Sequence, residues 1–135
     1  MTNIVIDTGP WVALMDRSES RHDECVAWFR QFEGNIYSTE AVLTEVLYLL
    51  HFSSKAQSAA IDFVLNAAIT IVPASLDSLH RVKVLMEKYK NLPMDYADAT
   101  LVSLAEDLSV RHIATFDSHF DIYRLPSKKT FVILP

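Results

Sequence analysis

Asn3-Ile4-Val5-Ile6-Asp7-Thr8-Gly9-Pro10 is the stretch that decides the fold: three β-favouring aliphatics run into an acid, then into Gly and Pro. Three consecutive apolar positions without alternation fit a strand covered on both faces, as in a parallel sheet. In open α/β sheets ligands sit in the crevice beyond the carboxyl ends of the strands, so this stretch presents Asp7 where chemistry normally takes place.

The remainder of the chain repeats the pattern of strand and helix. Trp11, Leu14 and Met15 mark a short helix after Pro10, which suits a first helical position, and Cys25, Trp28, Phe29 and Phe32 mark a second that Gly34 stops. A short strand at residues 36–39 leads into an apolar helix from Glu40 to His51, capped by Ser38 or Thr39. Lys55 to Asn66 reads as an amphipathic helix, residues 69–73 as a strand ended by Pro73, and Ser75 caps a helix through Leu79, Val82, Met86 and Tyr89. From Asp95 another helix runs through Leu101, Leu104 and Leu108, followed by a strand at residues 112–115, the turn Phe116-Asp117-Ser118, one helical turn and a last strand at residues 131–134. Strands separated by helices imply right-handed crossovers and a three-layer α/β/α sandwich with a central parallel sheet.

The 135 residues, half of them apolar, are the length of a single domain spanning 1–135. A lone cysteine, Cys25, and a start on a strand with no leader pattern point to the cytoplasm. The longest apolar run, Val46 to Leu50, is far below the roughly 18 residues that span a bilayer, so no membrane is expected. A formal net charge of −5 argues at first against nucleic acid. If four of the acids form one cation site, that argument loses its force, because the rest of the molecule is then close to neutral.

Four acids stand in awkward places. Asp7 and Asp117 follow aliphatic strand sequences and so share one sheet edge; Asp98 lies in the first turn of its helix among alanines, and Glu45 lies in an apolar helix between Ala41, Val42, Tyr48 and Leu49. Each has a structural reading: Asp98 as a dipole partner, Asp117 as a turn former, Glu45 paired with a buried Arg, and a fifth acid, Asp95, as a helix cap. Together they can converge on one cleft. Carboxylates about 4 Å apart repel by roughly 4 kcal/mol per pair at an effective dielectric near 20, so such a cluster persists only when protonated or around cations. Carboxylates without Cys or paired His select Mg²⁺ or Mn²⁺, and cations held in this way serve phosphodiester cleavage.

These residues resemble the PIN-domain family of ribonucleases, particularly the small VapC-type toxins of toxin-antitoxin pairs. The similarity rests on Ile4-Val5-Ile6-Asp7-Thr8-Gly9, on Thr44-Glu45-Val46, on Met94-Asp95-Tyr96-Ala97-Asp98-Ala99 and on Ala114-Thr115-Phe116-Asp117-Ser118-His119-Phe120, and covers nearly the whole chain. It implies a PIN-like α/β/α sandwich, a Mg²⁺- or Mn²⁺-dependent endoribonuclease, and Asp7, Glu45, Asp98 and Asp117 as the catalytic and metal-holding set. Thr115 matches a hydroxyl position expected to hydrogen-bond within the cluster, and Asp95 is a cap, a supporting group or an extra ligand. The implied partners are RNA and an antitoxin protein; apolar residues near Leu49, Phe52 and Phe63 add a homodimer.

Two other readings stand beside this one. A catalytically inactive PIN-fold module would bind RNA or a partner without metal. A haloacid-dehalogenase-type phosphotransferase would need an acid two residues after Asp7, where Gly9 stands, and two glycines cannot build a Gly-rich phosphate loop. Gly9 is expected to let the backbone approach a phosphate closely.

Overall fold

The computed structural model describes residues 2–135. Strand β1 (Ile4–Ile6) is the centre of a five-stranded sheet completed by β2 (Ile36–Ser38), β3 (Thr70–Ile71), β4 (His112–Ala114) and β7 (Val132–Leu134). The order is β3-β2-β1-β4-β7, and every pairing is parallel. Ile4, Val5 and Ile6 are fully buried, as a strand covered on both faces requires.

Helices α1 (Thr8–Met15), α2 (His22–Gln31), α3 (Glu40–Leu49) and α4 (Ser54–Leu65) fill the crossovers from β1 to β2 to β3. The return from β3 to β4 passes through α5 (Leu76–Lys88) and α6 (Tyr96–Leu108). Right-handed crossovers put these two groups on opposite faces: α1 touches α2, α3 and α4, α5 lies along α6, and α3 reaches across to meet α6, where Thr39 bonds Thr100. The result is the α/β/α sandwich read from the sequence.

Because β1 sends its connection to one side and β4 receives its own from the other, a crevice opens at their carboxyl ends. Asp7 N–H donates to Ala114 O at 2.9 Å there, so the residues just past each strand face one another. Local chemistry sets the helix starts: Thr39 accepts from Val42 N–H, Ser75 and Ser78 form a reciprocal capping box, and Asp95 accepts from Asp98 N–H at 2.8 Å.

Several expectations shift. The first helix starts at Thr8, with Asp7 in the N-cap position, so Pro10 is its third residue and not its first. Gly9 therefore sits within a helix, and a Cβ there would come to 2.8 Å from the Phe116 ring. Its lack of a side chain admits the aromatic ring of the β4 turn, a packing reason for glycine that the sequence did not show. Phe63 is partly buried, not free on the surface: it stacks on Phe29 with ring centroids 5.3 Å apart. Unforeseen is a small antiparallel hairpin, β5 (Arg124–Leu125) with β6 (Lys129–Thr130), which carries the exposed Lys128 and Lys129. No helix among the described residues is long and apolar enough to cross a membrane.

Candidate active site

The crevice collects acids from four elements. Asp7 leaves the tip of β1, Asp117 follows β4, Asp98 hangs from the first turn of α6, and Glu45 comes from the middle of α3. Oxygens of Asp7, Asp98 and Asp117 lie within 4.8 Å of one another, a spacing that can hold a metal ion. Glu45 borders this trio without joining it; its Oε2 accepts a hydrogen bond from Thr8 Oγ1 at 3.0 Å.

Neutral donors hold the set in place. Thr115 Oγ1 donates to Asp7 Oδ2 at 2.8 Å and accepts from Asp117 N–H at 3.0 Å, so one hydroxyl ties two of the acids together. Asp117 Oδ1 in turn accepts from His119 N–H at 2.9 Å. Asp95 caps α6 and lies behind Asp98 in the same helical turn. Tyr123, fully buried, donates its hydroxyl to Asp98 Oδ2 at 3.2 Å. Its ring is edge-on to both Tyr89 and Phe120, with centroids 5.0 Å away in each case, which fixes the direction of the hydroxyl.

The electrostatics are unrelieved. Asp7 is only 7% exposed, and burial pushes its carboxyl up to about 6, with Thr8 and Thr115 hydrogen bonds opposing and the charges of Asp117 and Glu45 adding. Asp98, 8% exposed, is pushed up to about 7, first by burial and then by the charges of Asp95, Asp7 and Asp117. Burial also raises Glu45. Tyr123 is raised by its own burial and by Asp98, so it stays a protonated donor at neutral pH. Among the described residues no Lys or Arg forms an ion pair with any of the four acids; only the imidazole of His119 approaches, 3.3 Å from Asp117. Three oxygen donors converge, half-desolvated and short of positive charge, which is the electrostatic condition a hard divalent cation satisfies. The residues present fit such an ion.

His22 lies outside the site, with Nδ1 against Ala13 O at 2.6 Å at the start of α2. Trp28 packs against Phe32, and together with the Phe29–Phe63 stack this accounts for most of the aromatic helical stripe as packing. Thr8 and Tyr123 are the contributors that sequence reasoning passed over. Thr8 stands next to Asp7, and a buried tyrosine hydroxyl needs a partner; that partner could not be named without knowing what lies above it.

A family model for the PIN domain matches residues 4–125. No curated protein sequence matches the chain. Among solved structures the fold is similar to that of Mycobacterium tuberculosis VapC20, a toxin described as cleaving the sarcin-ricin loop, with TM-score 0.79 and 20% identity over 85% of this chain and 90% of that one. A toxin-antitoxin complex from Klebsiella pneumoniae matches at TM-score 0.68 and 17% identity, covering 98% of this chain and 96% of that one. VapBC2 from Rickettsia felis, bound to a DNA fragment from its promoter, matches at TM-score 0.66 and 14% identity, covering 98% of each chain. At such identities the structural likeness speaks to the fold. With a family model that spans all but the two ends, the chain belongs to the PIN domain family.

Proposed function

We propose that this chain is a metal-dependent endoribonuclease that hydrolyses RNA phosphodiester bonds and serves as the toxin of a toxin-antitoxin pair. The observation that carries this reading is the convergence of Asp7, Asp98 and Asp117 within 4.8 Å, without a Lys or Arg ion-pair partner among the described residues. Family membership supports the nuclease class, and the toxin-antitoxin complexes of similar fold support the partner.

Asp7, Asp98 and Asp117 would hold the ion, Mg²⁺ or Mn²⁺ by the hardness of an all-carboxylate set. When bound, it supplies charge neutralisation for the phosphodiester and a lowered pKa for attacking water. Thr115 and Tyr123 aim carboxylate oxygens of Asp7 and Asp98 into the crevice. Glu45 is the fourth member of the set. Its Oε2 is anchored by Thr8, which leaves Oε1 to take a proton from the attacking water, and burial raises its pKa against the opposing Thr8 hydrogen bond, which makes it a stronger base than a free carboxylate. Water then adds to phosphorus, the bond to the leaving ribose oxygen breaks, and that oxygen is protonated from solvent. Asp95 acts through Asp98 as the cap that orients the first turn of α6.

Residues 1–135 act as one domain in this reading, in the cytoplasm. Tyr48 at 71% and Phe52 at 62% exposure, beside Leu49, offer an apolar face for a homodimer. Asp7→Asn and Asp98→Asn should abolish Mg²⁺- or Mn²⁺-dependent cleavage of RNA with the circular dichroism spectrum intact, and EDTA should stop the parent. Variants that cut as fast as the parent would sink the assignment, and RNA binding unchanged by EDTA without any cleavage would favour a non-catalytic module. Induction of the chain in a bacterial host should arrest growth, and coexpression of the protein encoded beside its gene should relieve the arrest; a harmless chain would remove the toxin role and leave the nuclease.

A further inference from the structure

A cation stands at the rim of the crevice without joining the acids. Phe116 lies between Thr115 and Asp117, and its ring packs so closely on Gly9 that a Cβ there would meet it at 2.8 Å. The guanidinium carbon of Arg21 sits over the same ring, 3.9 Å from its centroid. One aromatic ring thus links Arg21 to the two segments that carry Asp7 and Asp117. Arg21 nevertheless forms no ion pair with Asp7, Asp98 or Asp117.

The chain holds this side chain in place from several directions. Asp16 Oδ1 accepts from Ser18 N–H at 2.9 Å and from Ser18 Oγ at 2.7 Å, which closes the turn between α1 and α2. His22 Nδ1, 2.6 Å from Ala13 O, ties the start of α2 back to α1, and Arg21 is the residue immediately before that start. Glu24, one turn on, accepts from Arg21 Nε at 3.1 Å and from Nη2 at 2.5 Å. The two side chains are 38% and 48% exposed, and an ion pair so open to water adds little stability. Its effect is orientation: the guanidinium has Glu24 on one edge and Phe116 against its carbon, while Nη1 has no hydrogen-bond partner among the described residues.

The open edge defines the ligand. A planar guanidinium with free N–H groups matches the oxygens of a phosphodiester, and contacts of this kind position a nucleic acid without reading its sequence. The anions supplied by the chain itself are close by, yet Arg21 leaves them to the cation site. The phosphate under attack belongs to that ion, and Arg21 stands one ring further out, where the strand brings its next phosphate. A chain of net charge −5 needs such a contact to hold a polyanion beside its own acids.

We propose that Arg21, held against Phe116 at the rim of the acid crevice, binds the phosphate next to the cleaved one in single-stranded RNA. The assignment rests on the ribonuclease reading above, and it is tested by binding in the Asp98→Asn chain, where cleavage does not compete. With Mn²⁺ present and a short fluorescent RNA followed by anisotropy, Arg21→Ala should weaken binding about tenfold. It should also flatten the slope of log affinity against log salt by about 0.7, the share of one single-strand phosphate contact. Arg21→Lys should keep the slope and recover part of the affinity. Arg30→Ala, at the other end of α2 and with the same change in net charge, should leave slope and affinity as they were. Replacing the RNA phosphates one at a time by uncharged methylphosphonates should weaken binding at the linkage beside the cleaved one, and the Arg21→Ala chain should be indifferent at that linkage alone. Unchanged binding by Arg21→Ala, an equal loss in Arg30→Ala, or methylphosphonate losses that persist in Arg21→Ala at every linkage would overturn the contact. If RNA binds through Arg21 but the chain with Asp98 restored cleaves none in Mg²⁺ or Mn²⁺, the ribonuclease reading fails and the contact stands.

Discussion

Helix α6 carries two acids that meet opposite treatment. Glu106, near its end, receives Arg81 Nε and Nη2 at 2.7 and 2.8 Å, a bidentate pair that pins α5 to α6. Asp98, in its first turn, faces other carboxylates and receives one tyrosine hydroxyl. The same helix holds one acid that serves packing and one that is left electrostatically unsatisfied. An acid buried for stability is given its counter-charge by the chain; an acid buried without one reserves that place for a ligand.

The comparison breaks most sharply at the crevice. Asp98→Asn should lower metal-dependent RNA cleavage by at least about a thousandfold, since Asn neither carries the charge nor binds the ion comparably, while the metal-free variant melts no lower than the parent. Glu106→Gln should do the reverse. It should cost about 1–2 kcal/mol in urea unfolding by leaving Arg81 half-paired, with cleavage per folded molecule unchanged. If Glu106→Gln lost cleavage while the fold stayed intact, the division between the two acids would be wrong.

The pH dependence sharpens the contrast. Asp7 and Asp98 are shifted from 3.8 up to about 6 and about 7, so between pH 4 and 7 the native metal-free chain binds more protons than the unfolded chain. The sign follows: their protonation favours the fold at the acid end of that window, and the benefit fades as pH rises through 6 and 7. The Asp98→Asn variant keeps the share of this dependence that belongs to Asp7 and lacks the share of Asp98. Its melting temperature relative to the metal-free parent should rise by a few degrees between pH 5 and pH 8, at about 4 °C per kcal/mol, and added Mn²⁺ should close the gap by stabilising only the parent. A pH-independent difference would show that Asp98 is not strained by its neighbours.

The smallest effect is expected at Tyr123. Tyr123→Phe keeps the ring in its aromatic cage and removes only the donor to Asp98. Metal affinity by calorimetry should weaken about three- to tenfold, with cleavage restored by raised Mn²⁺. An unchanged affinity would reduce Tyr123 to a packing residue.

Much of this was legible without coordinates. Buried strands announce themselves by unbroken aliphatics, helix starts by Thr39, Ser75 and Asp95, and the acids by standing where no solvated face accommodates them. The short hairpin was not legible, because Arg124-Leu125 and Lys129-Thr130 have no alternation long enough to read. The packing role of Gly9 was not legible because its neighbour, Phe116, is more than a hundred residues away.

What the sequence determined by itself was therefore local: which segments are strand or helix, which end of each bears an acid, and that the acids lack nearby counter-charges. These follow from periodicity and capping, which act over a few residues. The tertiary structure alone decided that Asp7, Asp98 and Asp117 share one point while Glu45 turns to Thr8, and that Tyr123 reaches Asp98. The reason is the strand order: β1 pairs with β4, across more than a hundred residues, only because two groups of right-handed crossovers cover opposite faces of one sheet.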